Sequence, residues 1–202
     1  MNEPGTPIIA AALAWSPWEL AAVLLALAYL VLAIRQNSAC WLAALLSTGI
    51  YLVLMYRAQL YMESTLQLFY IVMAAYGWYS WRHGAEPGQP LAVTSWPLAR
   101  HVGPLVLIGS ASLVSGFVLA QWTDAALPYL DSFTTWGAVV STWMVARKII
   151  QNWHYWFIVD AASVYLYINR GLYLTALLFG FYLVLIIIGY QVWKKSLATA
   201  HG

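Results

Sequence analysis

YMESTLQLFYIVMAAYGWYSWR, residues 61–82, decides the fold, because residues 173–194, YLTALLFGFYLVLIIIGYQVWK, repeat it at a constant offset of 112. The matched pairs are Tyr61/Tyr173, Leu66/Leu178, Phe69/Phe181, Tyr70/Tyr182, Gly77/Gly189, Trp81/Trp193 and the basic pair Arg82/Lys194. Each copy is long and apolar enough to cross a bilayer, which takes roughly 20 residues of helix. One helix earlier, Asn37 and Trp41 match Asn152 and Trp156 at an offset of 115, which places a gap of three residues in the short loop. Helices 1–3 and 5–7 therefore read as two copies of one three-helix unit, with helix 4 between them. An odd linker span lets both copies keep the same orientation, as in parallel repeats related by an axis along the membrane normal.

Composition points the same way. Of 202 residues, 63% are hydrophobic and 8% charged, whereas a soluble domain carries about 25% charged residues. The predicted fold is an all-α integral membrane protein of seven transmembrane helices, at 18–36, 39–56, 61–81, 101–121, 132–149, 152–169 and 172–193. They form a single transmembrane domain over 1–202, with repeats at 18–82 and 132–195 and the linker helix at 101–121. Cytoplasmic loops retain Lys and Arg. With the N-terminus outside, seven basic residues (Arg35, Arg82, Arg100, Arg147, Lys148, Lys194, Lys195) fall inside, and only Arg57 and Arg170 outside. The expected topology is N-out, C-in. Met-Asn-Glu-Pro-Gly at the start lacks the positive n-region of a cleaved signal, so the first apolar stretch is expected to stay.

Some chemistries are disfavoured. No basic polar stretch suggests a nucleic-acid partner, and no Gly-x-x-x-x-Gly-Lys loop offers a nucleotide site. The single Cys40 has no second Cys or His at metal spacing, so no metal or cofactor is expected. An enzyme would need converging catalytic groups, and Asp160 has none beside it in the sequence.

Asp160 is the sharpest single residue. A carboxylate in mid-helix costs roughly 2.5–3.5 kcal/mol on insertion scales, so it should face the bundle interior or a wet cavity. Trp153, Trp156, Asp160, Ser163 and Tyr167 follow spacings of three and four and share one helix face. Two indoles near a carboxylate suit a flat cationic or hydroxylated ligand. The structural alternative is an Asp bonded to a Ser or Tyr of a neighbouring helix. Helix 3 carries a second face, with Glu63, Gln67, Tyr70, Ala74, Gly77 and Trp81. Gln67 can donate and accept, which suits a ribose or an amide. Glu63 lies near the outer end and is equally readable as interfacial. In the repeat register, Glu63 and Gln67 face Thr175 and Phe179, while Asp160 faces Leu45. Polar groups that are not duplicated on a duplicated scaffold favour an unsymmetric small molecule over a bare ion.

SPWELAAVLLALAYLVLA (16–33), QLFYIVMAAYGWYSW, ARKIIQNWHYWFIVDAASVYLYINRGLYLTALL and GYQVWKK resemble the PnuC family of bacterial vitamin transporters, over about positions 16–195. The YGW and NWxxW elements carry most of the likeness. The resemblance implies a SWEET-like 3+1+3 plan, a homotrimer in lipid and the bacterial inner membrane. It also implies uptake of nicotinamide riboside, with thiamine or riboflavin as alternatives, by facilitated diffusion with trapping by a cytoplasmic kinase. A proton-coupled carrier is a further alternative. The expected substrate-binding set is Trp41, Glu63, Gln67, Tyr70, Asn152, Trp153, Trp156 and Asp160.

Overall fold

The computed structural model describes residues 17–57, 61–84, 91–123, 127–169 and 171–199. Among them are seven α-helices: α1 (Pro17–Ile34), α2 (Ala39–Arg57), α3 (Tyr61–His83), α4 (Val102–Trp122), α5 (Pro128–Ala146), α6 (Asn152–Asn169) and α7 (Tyr173–Thr199), with a 3-10 turn, Leu98–His101, leading into α4. No strand occurs among the described residues beyond one isolated bridge, Thr94 to Ile149. Helices are what a bilayer demands, since each satisfies its own backbone polar groups without water. By length and composition, Pro17–Ile34, Leu98–Trp122 and Thr175–Thr199 are apolar enough to cross a membrane. Apolar side chains such as Val72, Val106 and Leu177 are more than 60% exposed, as lipid permits and water does not.

The chain divides into two compact units, Met1–Ala92 and Val93–Gly202. In the first, α2 packs against both α1 and α3; in the second, α5 packs against α4 and α6, and α6 against α7. The sequence placed α5 at 132–149, and the structure moves it towards the N-terminus. Pro128 starts the helix at a position where its missing N–H costs nothing, and Asp131 lies in the first turn, where a negative charge suits the helix dipole.

The turn that ends α5 is a copy of the turn that ends α1. Both are Schellman closures: Asn37 N–H bonds Leu32 O and Gln36 N–H bonds Ala33 O, while Ile149 N–H bonds Met144 O and Lys148 N–H bonds Val145 O. The second residue after each helix is left-handed, Gln36 at φ 55° and Lys148 at φ 49°, without glycine. The next helices begin alike, with Trp41 N–H on Ser38 O and Trp153 N–H on Ile150 O.

This geometry corrects the repeat register. The offset stays at 112 through the turn and no gap exists, so Trp41 corresponds to Trp153 rather than Trp156. Asn152 corresponds to Cys40, and Asp160 to Thr48 rather than Leu45. The Asn37/Asn152 match was an identity without a shared role. Asn37 accepts the Ala39 N–H through Oδ1, inside the turn, whereas Asn152 opens α6 and donates to Ile149 O through Nδ2 at 2.6 Å.

Both copies close their second and third helices with the same device. The Trp41 ring lies on Gly77 and meets Trp81 edge-on, with centroids 5.6 Å apart and planes at 87°. The Trp153 ring lies on Gly189 and meets Trp193 edge-on, at 5.4 Å and 89°. A Cβ at either glycine would overlap the indole, while Gly180 has no atom within 4 Å of such a carbon. Overpacking of this kind costs about 1–3 kcal/mol. Gly77→Ala and Gly189→Ala should each lower the melting temperature in detergent, and Gly180→Ala should not; equal melting of all three would show that the indoles can retreat.

Candidate functional site

Helix α6 presents the stripe anticipated from its spacing. Its buried residues are Asn152, Trp153, Val159, Asp160, Ser163 and Leu166, all within one side of the helix. Trp156 sits in the middle of that side yet is only half-buried, so the buried stripe opens at the indole.

Asp160 is 4% exposed and makes no hydrogen bond or ion pair among the described residues. Its own helix offers no donor, because mid-helix N–H groups are committed to carbonyls one turn back. The nearest hydroxyl on the stripe, Ser163 Oγ, donates to Val159 O at 2.9 Å instead. The structural alternative is a Ser or Tyr of a neighbouring helix, and among the described residues none bonds the carboxylate. Two more polar atoms on the first turn are buried and unpaired: Asn152 Oδ1, an acceptor, and Trp153 Nε1, a donor. Buried polar groups are ordinarily paired, and each exception asks for a cause.

In the first unit, Trp41 is 2% exposed and its Nε1 is likewise unpaired. Gln67 and Tyr70 are half-buried, and their spacing puts them on the α3 face that carries Gly77 and Trp81, the seat of Trp41. The structure thus brings Trp41, Gln67 and Tyr70 to the α2–α3 pair, and Asn152, Trp153, Trp156 and Asp160 to α6. Glu63 lies on the first turn of α3, and its side chain falls outside the described residues. Trp41 and Trp153 have ring surfaces already occupied by glycine and a second indole. Trp156, whose counterpart is Ala44, has no such seat.

The sequence reading missed the segment before α4. Thr94 N–H bonds Lys148 O and Ile150 N–H bonds Thr94 O, both at 2.9 Å, which ties residues 93–96 to the α5–α6 turn. Trp96 then leans on His101 and Trp143, each 5.7 Å between centroids. His101 Nδ1 and the Tyr155 hydroxyl share a hydrogen bond of 3.0 Å. Helix α4 is fixed to α5 by Trp136 Nε1, which donates to Ser115 Oγ at 3.2 Å. A groove of about 470 Å³ beside that bond, lined by Ser110, Ala111, Val114, Ser115, Val118 and Trp136, is apolar and carries no ionisable group.

Residues 16–195 match the family model described as nicotinamide mononucleotide transporter. The chain belongs to that family. Similar curated relatives are the nicotinamide riboside transporter PnuC of Escherichia coli (strain K12), 23% identical over 177 residues, covering 75% of this chain and 74% of the relative. The riboflavin/roseoflavin transporter RibM of Streptomyces davaonensis is 24% identical over 186 residues, covering 89% of this chain and 84% of the relative. The fold is similar to that in the crystal structure of the vitamin B3 transporter PnuC, with a TM-score of 0.67 at 20% identity, covering 96% of this chain and 88% of that one. The all-helical membrane architecture and the resemblance read from YGW and NWxxW agree with these findings, and the matched relatives are transporters rather than enzymes.

A buried carboxylate without a partner is unfavourable to folding, and an amide of the same shape is less so. Asp160→Asn should therefore insert normally and melt a few degrees above the wild type while taking up substrate more slowly. A lower melting temperature would reveal a stabilising partner for the carboxylate.

Proposed function

We propose that this protein takes up nicotinamide riboside across the bacterial inner membrane, with the α6 stripe as the heart of its binding site. The observation that carries the reading is Asp160, buried and without a hydrogen bond or ion pair among the described residues, on the same side of α6 as the half-buried Trp156. A pyridinium ring supplies the missing positive charge and a flat face for an indole. Its carboxamide supplies an N–H donor for Asn152 Oδ1 and an acceptor for Trp153 Nε1, the two unpaired atoms at the start of the helix. Within the first unit, Trp41, Glu63, Gln67 and Tyr70 carry polar and aromatic groups of the kind that a ribosylated ring needs, and they stay in the proposed set. The mononucleotide named in the family description carries a phosphate that an unpaired carboxylate repels, so the riboside fits the acid better. Riboflavin, transported by the Streptomyces relative, brings no cation to Asp160. Thiamine does, and is the alternative ligand.

Transport in this reading is facilitated diffusion, made one-way by a cytoplasmic kinase, through a homotrimer of 3+1+3 subunits oriented N-out, C-in. The absence of a Gly-x-x-x-x-Gly-Lys loop in the sequence supports a carrier without its own nucleotide hydrolysis. Asp160 favours a second reading, a proton-coupled carrier, because an unpaired buried carboxylate is also a place to hold a proton.

Titration of purified protein with nicotinamide riboside and thiamine separates the ligands, and binding of neither removes the vitamin reading. Trp156→Ala should weaken binding by about 1–3 kcal/mol, the range for an aromatic platform under a stacked ring; unchanged affinity in a folded variant takes Trp156 out of the site. In proteoliposomes without kinase, uptake should stop at equal concentrations with or without a pH gradient. Accumulation driven by the gradient would favour proton coupling instead.

A further inference from the structure

Gln151 is the residue immediately before α6, and its side-chain amide is fully engaged with a segment 55 positions away. Oε1 accepts the Trp96 N–H at 3.1 Å. Nε2 donates to Ser95 Oγ at 2.8 Å and to Trp96 O at 3.0 Å. With the paired backbone bonds of Thr94, five hydrogen bonds strap residues 94–96 to the turn that launches α6.

The matching turn in the first unit has the same backbone hydrogen bonds, and its residues are more exposed. Arg35 and Asn37 are exposed there and Gln36 and Ser38 half-buried, whereas Lys148, Ile149 and Ile150 are buried beneath the strap. The same Schellman hydrogen bonds close the turn in the first unit. What differs between the two copies is the helix that follows. Helix α6 carries Asn152, Trp153, Trp156 and Asp160, whereas the same positions of α2 hold Cys40, Trp41, Ala44 and Thr48. The strap is present where the polar decoration is, and its amide grips the backbone one residue before Asn152. The Tyr155 hydroxyl, held by His101, ties the same first turn of α6 to the segment before α4.

We propose that Gln151 is a positioning residue for the binding site, a reading that rests on the proposed function of α6. Its side chain holds the first turn of α6 against residues 95–96, so that the unpaired atoms of Asn152 and Trp153 keep their register with Trp156 and Asp160. Sites held to within a fraction of an ångström need supporting hydrogen bonds of this kind behind the groups that touch ligand.

The test is isothermal titration of purified wild type, Gln151→Ala and Gln151→Glu with nicotinamide riboside and thiamine, with melting temperatures recorded alongside. Loss of the strap should weaken Gln151→Ala about tenfold in Kd, the size of one lost net hydrogen bond, at a temperature where the variant is folded. Gln151→Glu keeps the acceptor for Trp96 N–H, but its carboxylate donates to neither Ser95 nor the Trp96 carbonyl. Protonation restores one donor, so its deficit relative to wild type at the same pH should shrink as the pH falls through ~4, the ordinary range of a Glu carboxyl. That recovery also decides the matter if Gln151→Ala fails to fold. A lowered melting temperature with unchanged Kd would make the strap merely structural and overturn the positioning role alone. Wild-type protein that binds neither vitamin overturns the proposed function and this inference with it.

Discussion

Two indoles, each lying where a glycine leaves out a side chain, set the distance between helices in both halves of this protein. Lipid gives helices no hydrophobic reason to prefer one another, so close packing at small residues has to supply the attraction. Trp41 on Gly77 and Trp153 on Gly189 do so with large flat rings, each braced edge-on by a second indole. The contact joins α2 to α3 and α6 to α7, and the middle helix of each triplet is thereby held to its neighbour. Everything α6 displays depends on that seat, because the ring at position 153 belongs to the same stripe as Asp160. The packing also leaves both indole N–H groups unpaired. A scaffold contact has thus left a hydrogen-bond donor at the edge of the candidate site.

The helices were legible in the sequence because each span is bounded by polar residues. The α2 and α6 starts, at 39 and 152, coincide with the structure. The errors are instructive. Helix α5 was started too late because Asp131 read as a break, although an acid in a first turn belongs there. It was ended too late because the turn at Lys148 is left-handed without a glycine to announce it. The repeat itself was legible, but its register in the middle helix was not. Asn37 and Asn152 share a residue type and no role, and aligning them displaced Trp41 by a full turn from its counterpart. Backbone hydrogen bonds resolve what residue identity confused.

Asp160 was legible by its cost: a carboxylate in an apolar run has few reasons to exist, and the structure buries it with no partner among the described residues. The division of labour among the tryptophans was not. Spacing puts Trp153 and Trp156 on one face, but only packing tells that the first is seated on glycine while the second stays half-open. The strap was invisible for a different reason. Thr94, Ser95 and Trp96 carry no periodicity, and their partners lie more than fifty positions further along the chain. Nothing local in a sequence records a bond of that length.

The strap has a consequence for the order in which the protein is made. A chain grows from its N-terminus and tends to fold unit by unit. Within the first unit, α1, α2 and α3 can pack as soon as α3 is made. Residues 94–96, however, emerge some fifty positions ahead of the turn they grip. They must wait while α4 and α5 are made, and they find their partners only when residues 148–151 arrive. The candidate site is thus among the last parts of the molecule to be assembled, and its closure reports that α4, α5 and the start of α6 have all taken their places.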